Sequence, residues 1–204
     1  MIIGKKNVLV SILVNNFNNE KYLDKCINNC IKQTYKNIEL IIFDDKSTDS
    51  SKNILKKYKN NKIKIIFNKK KKFNSGPLNQ LNSIYISLKK SKGEYIFLLD
   101  GDDYFLKNKI SQSIKIFNLN PKIVFLQDNP IYKYDNKNVL LKKIKLKRKV
   151  FVNHTWPFFS PTSTMAFKRD FLVKLLKKIS FSKSLFDQMF FDARAFIYIY
   201  LNIF

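Results

Sequence analysis

Asp100, Asp102 and Asp103 put three carboxylates within four positions of a chain that has 15 acidic residues against 39 basic ones. Mutual repulsion disfavours such a cluster unless a cation or hydrogen-bond donors offset it. The apolar run Tyr95 to Leu99 leads directly into Asp100 and predicts a buried parallel strand, and in open α/β sheets ligands bind beyond the carboxyl ends of the strands. Hard oxygen ligands there favour Mg²⁺ or Mn²⁺, ions that keep waters and bridge phosphates. Two further polar clusters follow predicted strands: Asn15-Asn16-Phe17-Asn18, and Asp44-Asp45-Lys46-Ser47-Thr48-Asp49. Gly101 permits close backbone approach. A loop carboxylate beside an aromatic ring can read the donor edge of a nucleobase, so the three clusters together suit a nucleoside diphosphate. Asp49 taken singly reads as a solvated helix cap.

The elements that must position these groups alternate along the chain. Val8 to Val14 is a continuous β-branched apolar run, as expected of a strand covered on both faces. From Glu20 to Gln33 the apolar positions Tyr22, Leu23, Cys26, Ile27, Cys30 and Ile31 form a helical stripe, with Asn18 or Asn19 available as its cap. Strands are predicted at Glu39 to Phe43, Ile63 to Phe67 and Tyr95 to Leu99, and helices up to about Tyr58 and over Leu78 to Lys90. This alternation predicts an α/β fold with a mostly parallel sheet flanked by helices. Past Asp103 the rhythm loosens. A helix over Lys107 to Phe117, a strand over Ile123 to Gln127, a basic alternating stretch from Val139 to Val152, and helices over Arg169 to Lys178 and from Asp187 onward complete the reading.

Composition bounds the function. A chain of 204 residues, 45% of them hydrophobic, can bury one substantial core. Its net charge of +24 has three readings: Lys filling solvated positions, attraction to an anionic membrane face, and nucleic acid. Nucleic acid ranks last, because the lysines are scattered and no recognition module is present. Cys26 and Cys30, four apart on one predicted helix, are expected to be buried free thiols of a reducing compartment. No run approaches 18 apolar residues, so no membrane-spanning helix is expected, and the N-terminus lacks a signal-peptide cleavage pattern.

The stretch VSILVNNFNNEKYLDKCINNCIKQTYKNIELIIFDDKSTDSS resembles the opening of the family 2 inverting glycosyltransferases with the A-type nucleotide-sugar fold. Strand, aromatic-Asn turn, helix ending in a Gln-Thr-aromatic step, and strand ending in an Asp-Asp-x-Ser-x-Asp loop all occur in order. KGEYIFLLDGDDYF resembles the family's Asp-x-Asp region with its Gly-Glu-aromatic lead-in. The resemblance implies a single Rossmann-like nucleotide-sugar domain, with residues 1–118 as the donor-binding half. Residues 119–204 would then be the acceptor and catalytic-base half, shorter than is usual in the family. It also implies that Asn15 and Phe17 line the base pocket, that Asp45 pairs with a base N–H, that Asp100 lies against the ribose or the metal shell, and that Asp102 is the direct metal ligand. Asp103 is left as a loop or outer residue. Departures are Asn at position 15, Lys46 where a small residue is usual, and a longer Gly76 to Gly93 stretch without the frequent Arg-Asn pair. A basic residue from Lys69 to Lys72 could reach the phosphate, but each of them taken singly reads first as part of a solvated loop.

An inverting transfer needs one general base for the acceptor hydroxyl. The resemblance assigns it to Asp187 in SLFDQMFFDAR, with burial among Phe186, Phe190 and Phe191 to raise its pKa and helix capping as the competing role. Asp192, five residues on, does not share that face. His154 is read as a packing or loop residue and Trp156 as either core or a sugar-stacking ring. The expectation is a metal-dependent enzyme using Mn²⁺ or Mg²⁺ and a nucleotide-sugar, preferably a UDP-sugar. The acceptor expected is a bacterial surface glycan or its lipid-linked precursor, met in the cytoplasm at the inner membrane face. The alternatives are a truncated or inactive nucleotide-sugar-binding relative and, from another class, a basic membrane- or nucleic-acid-binding protein.

Overall fold

The computed structural model describes residues 7–58, 61–134, 137–140, 161–179 and 189–203. Its elements run β1 (Val10–Asn16), α1 (Glu20–Ile31), β2 (Ile38–Asp44), α2 (Ser51–Lys56), β3 (Ile63–Phe67), α3 (Gly76–Lys90), β4 (Tyr95–Asp100) and α4 (Lys109–Leu119). The second half adds β5 (Phe125–Gln127), β6 (Ile131–Tyr134), β7 (Lys137–Leu140), β8 (Met165–Lys168), α5 (Arg169–Ile179) and α6 (Phe191–Ile203). Six strands form one sheet in the order β3-β2-β1-β4-β8-β5, while β6 and β7 pair separately. β1, β2, β3 and β4 are mutually parallel, and β8 runs antiparallel between β4 and β5.

Period-2 alternation explains why the strands read as unbroken apolar runs. Val10, Ile12 and Val14 of β1, with Leu40 and Ile42 of β2 and Phe97 and Leu99 of β4, face one layer formed by α1, α2 and α4. Leu13, Ile41, Ile96 and Leu98 face the other layer, formed by α3, α5 and α6. Both faces are covered, so both sets are apolar. Cys26 and Cys30 are buried free thiols on α1, and the pKa of the Cys26 thiol is raised by its hydrogen bond with Cys30 and by burial. No helix among the described residues is long and apolar enough to cross a membrane.

Several boundaries differ from expectation for identifiable reasons. α1 stops at Ile31 rather than Gln33, because the Gln33 side chain turns inward, donating to the Leu106 carbonyl at 2.8 Å and accepting from the Ile110 amide at 3.2 Å. α1 also starts without a side-chain cap from Asn19. α2 is shorter than predicted, and α6 begins at Phe191 rather than Asp187. β8 was not expected. It is four residues long, too short for a period to show. Val139 and Leu140 lie in β7, and the rest of the Val139 to Val152 stretch lies outside the described residues.

Candidate donor site at the strand ends

The chain adds β2 and β3 on one side of β1, then crosses to place β4 on the other. A crevice opens where strand order reverses in this way. Register then fixes the site: Asn15 of β1 lies opposite Asp100 of β4, and Asn16 lies opposite Asp44 of β2. All three polar clusters therefore emerge at one edge, as their spacing predicted.

The first two loops are tied together by side chains. Asn16, fully buried, donates from Nδ2 to Asp44 Oδ1 at 2.8 Å and to Ser47 Oγ at 3.2 Å. Ser47 donates to the same Asp44 oxygen at 2.6 Å. The Asn18 amide donates to Ser47 Oγ, and Asn18 Oδ1 accepts from the Thr48 amide at 2.8 Å. Asn18 sits at φ 54° and Lys46 at φ 60°. The left-handed region costs a β-carbon-bearing residue about 1–2 kcal/mol, less for Asn than for Lys, so the larger cost falls on Lys46. Asp49 accepts from the Glu20 amide at 2.9 Å and the Ser51 amide at 3.0 Å, while Glu20 accepts from the Ser50 amide. It is a cap joining α1 and α2, as its solvated-turn reading anticipated.

Asp44 and Asp45 consequently differ in role. Asp44 is consumed by Asn16 and Ser47. Asp45 is held by Asn68, whose Nδ2 donates to Asp45 Oδ1 at 2.6 Å, which leaves Oδ2 the less engaged oxygen. Phe17, in the adjacent loop, is 42% exposed.

At the third cluster the Gly101 amide donates to the Asn15 carbonyl at 2.8 Å. A β-carbon at position 101 would stand 2.7 Å from Asn16 Oδ1, 2.9 Å from Asn19 Nδ2 and 3.3 Å from the Asn15 carbonyl oxygen, so any other residue between the two aspartates requires the two asparagine side chains to shift. The Asp100 amide donates to Ser163 Oγ at 3.0 Å, and Asp100 Oδ1 accepts from Gln80 Nε2 at 3.2 Å. Burial lifts the Asp100 carboxyl to about 7; Asp102 and Asp103 reinforce the lift, and Gln80 and Asn15 oppose it. Asp102 and Asp103 are exposed at the lip. No group of three or more His, Cys, Asp or Glu side chains able to hold a metal occurs among the described residues. A cation at this lip would take one or two protein carboxylates and complete its shell from water and diphosphate, which is how Mg²⁺ usually binds. The donor set fits such an ion, and a desolvated carboxylate, Asp100, with no ion-pair partner among the described residues is the feature that would accept it.

Gln80 escaped the sequence reading. It is 7% exposed on α3, and besides Asp100 it reaches Thr162 Oγ1 at 3.5 Å and accepts from the Phe191 amide at 3.1 Å. One amide thus joins the β4 end, the 3-10 turn Thr162–Thr164 and the start of α6. The available signal was a polar stripe on α3, Gln80, Ser83 and Ser87, all buried. Asn68 was missed as well, since a single polar residue in a loop carries no period. Asp187, His154 and Trp156 lie outside the described residues. Asp192 is half-buried in the first turn of α6, and burial raises its carboxyl.

Comparison with known proteins adds to this geometry. The model of Glycosyl transferase family 2 matches residues 11–176. An Escherichia coli protein named UDP-Glc:alpha-D-GlcNAc-diphosphoundecaprenol beta-1,3-glucosyltransferase WfaP is 39% identical over 121 residues, covering 59% of this chain and 45% of the relative. A second from the same species, the beta-1,3-glucosyltransferase WfgD, is 31% identical over 145 residues, covering 71% of this chain and 54% of the relative. The chain spans about half the length of the curated relatives it matches. Among solved structures, Staphylococcus aureus TarS 1-349 superposes with a TM-score of 0.64 at 22% identity, over 93% of this chain and 55% of its own. The mannosyltransferase PcManGT of Pyrobaculum calidifontis gives 0.62 at 13% identity, over 92% and 50%. These two share the fold.

Proposed function

Since the chain belongs to Glycosyl transferase family 2, we propose that it transfers a sugar, with inversion, from a nucleotide-sugar to a glycan or lipid-linked acceptor at a bacterial membrane. The observation that carries this is the register that sets Asn15 beside Asp100 and Asn16 beside Asp44. That register supports a reading in which Asp45 reads the base, Phe17 stacks on it and Asp102 stands at a metal-binding lip, in the order a nucleotide-sugar requires. Relatives named for UDP-glucose support a UDP-sugar as donor. TarS has been crystallised with UDP-GlcNAc, and PcManGT with GDP-Man and Mn²⁺.

In this reading the uracil ring stacks on Phe17 and gives its N–H to Asp45 Oδ2. Asn15 and Asp100 take the ribose side, and Asp102 would hold Mn²⁺ or Mg²⁺. The ion, when bound, neutralises charge on the departing diphosphate. Asp187 accepts the acceptor hydroxyl proton as the new glycosidic C–O bond forms on the face opposite the breaking bond to phosphate. The work is placed at the cytoplasmic face of the membrane.

Thermal melting with UDP, GDP and ADP, each with Mn²⁺, Mg²⁺ or chelator, tests the reading. At a ligand concentration 100-fold above Kd, UDP with Mn²⁺ stabilises by about 2.7 kcal/mol, a rise of roughly 5–10 °C. Chelator reduces that rise, and in Asp102→Asn the metal-dependent part disappears together with transfer. Equal or absent shifts with every nucleotide would overturn the donor assignment.

A further inference from the structure

The basic run Lys69 to Lys72 is held at both ends. On one side the Asn68 amide donates to the Asp44 carbonyl at 2.9 Å, and Asn68 Oδ1 accepts from the Lys70 amide at 3.3 Å. On the other, the Asn79 side chain clamps Phe73, accepting from its amide at 3.1 Å and donating to its carbonyl at 2.9 Å. Of the four lysines between these anchors, Lys71 alone is half-buried; the other three are exposed. Its Nζ stands 3.2 Å from the centroid of the Phe17 ring, well inside the range of a cation–π contact.

This is the ring assigned to base stacking, and a base and an ammonium cannot share one ring face. The sheet order shows where the ammonium can go. Phe17 follows β1, which lies between β2, followed by Asp45, and β4, ending in Asp100. A nucleotide whose base is read at β2 and whose diphosphate meets the lip of β4 must cross β1, where Lys71 already reaches. We propose that Lys71 is an exchange residue of the donor site: it covers Phe17 in the free protein and moves onto the donor's diphosphate when the base takes the ring. This rests on the nucleotide-sugar reading above. The ammonium keeps the apolar ring covered until a ligand arrives, and it makes the diphosphate contribute to admission of the base.

The two halves of the exchange have opposite signs for two ligands, which makes it testable. Uridine brings a base without phosphate, so it displaces Lys71 without recompense; UDP supplies both. Calorimetric titration of the full chain with uridine and with UDP, in Mn²⁺, compares wild type with Lys71→Met and Lys70→Met. In Lys71→Met, uridine binds about threefold tighter and UDP about tenfold weaker, the sizes of a lost cation–π competitor and a lost charge-assisted contact. Lys70→Met, which removes an equal charge from the same run, leaves uridine affinity unchanged. Unaltered affinities in Lys71→Met, or two ligands moving in the same direction, would overturn the exchange while leaving the donor site intact. A wild-type chain that binds neither ligand removes the donor site itself and Lys71's role with it.

Discussion

Asp100 is a carboxyl group caught between two demands. Packing behind the crevice keeps its proton on up to about pH 7, whereas in the unfolded chain it leaves near 3.9. Across that interval the folded state binds more protons, so this group's contribution is complete below about pH 4 and is lost as the pH rises through 7. Metal-free wild-type protein is expected to lose stability relative to Asp100→Asn between pH 4 and pH 8, read as the difference between two melting curves. Mn²⁺ should recover the loss at the alkaline end, where the carboxylate is ionised and can hold the ion. Identical pH slopes for the two proteins would refute the raised carboxyl. At this scale the sequence made the clusters legible but not their division of labour. Asp44 and Asp45 are adjacent letters of the same kind, and only the third dimension shows that Asn16 and Ser47 use up the first. Gln80 was hidden for the same reason, since its three partners come from distant parts of the chain.

At the scale of elements, the approach of β4 to β1 depends on a residue that precedes the strand. The Gly93 amide donates to Ser11 Oγ at 2.8 Å, and a β-carbon there would sit 2.8 Å from the Val10 carbonyl carbon and closer still to the Ser11 amide nitrogen. Both are backbone atoms of a central strand and cannot turn aside. Gly93→Ala is expected to cost about 1–3 kcal/mol by overpacking, seen as a lower urea midpoint with an unchanged slope. A midpoint equal to wild type would show that the strands have slack. β1, β2 and β4 were legible because helices on both faces demand unbroken apolar runs, and the helices because each needs one apolar stripe. β8 was not. Four residues, Met165 to Lys168, owe their strand state to the edge that β4 and β5 present rather than to their own pattern.

At the scale of the whole molecule, charge is the dominant feature. Pairing all 15 acidic residues would still leave 24 cations over. A cation near an anionic surface contributes about 1 kcal/mol, and the attraction fades within a Debye length, about 10 Å at 0.1 M salt. Binding to vesicles containing anionic lipid should therefore be measurable by co-sedimentation in low salt and lost in high salt. Neutral vesicles should not capture the chain. Salt-insensitive binding, or none to anionic vesicles at low salt, would leave Lys as a solvating residue only. The sheet has a different kind of consequence. The chain leaves at Gln127 and returns at Met165 directly opposite, because β5 and β8 are paired there. The span between is a ring closed at its neck, and lengthening such a ring costs little, about 0.6 kcal/mol per doubling. Lengthening or shortening that span ahead of the Thr162–Thr164 turn, whose Thr162 and Ser163 touch Gln80 and Asp100, should therefore leave the crevice at the strand ends in place.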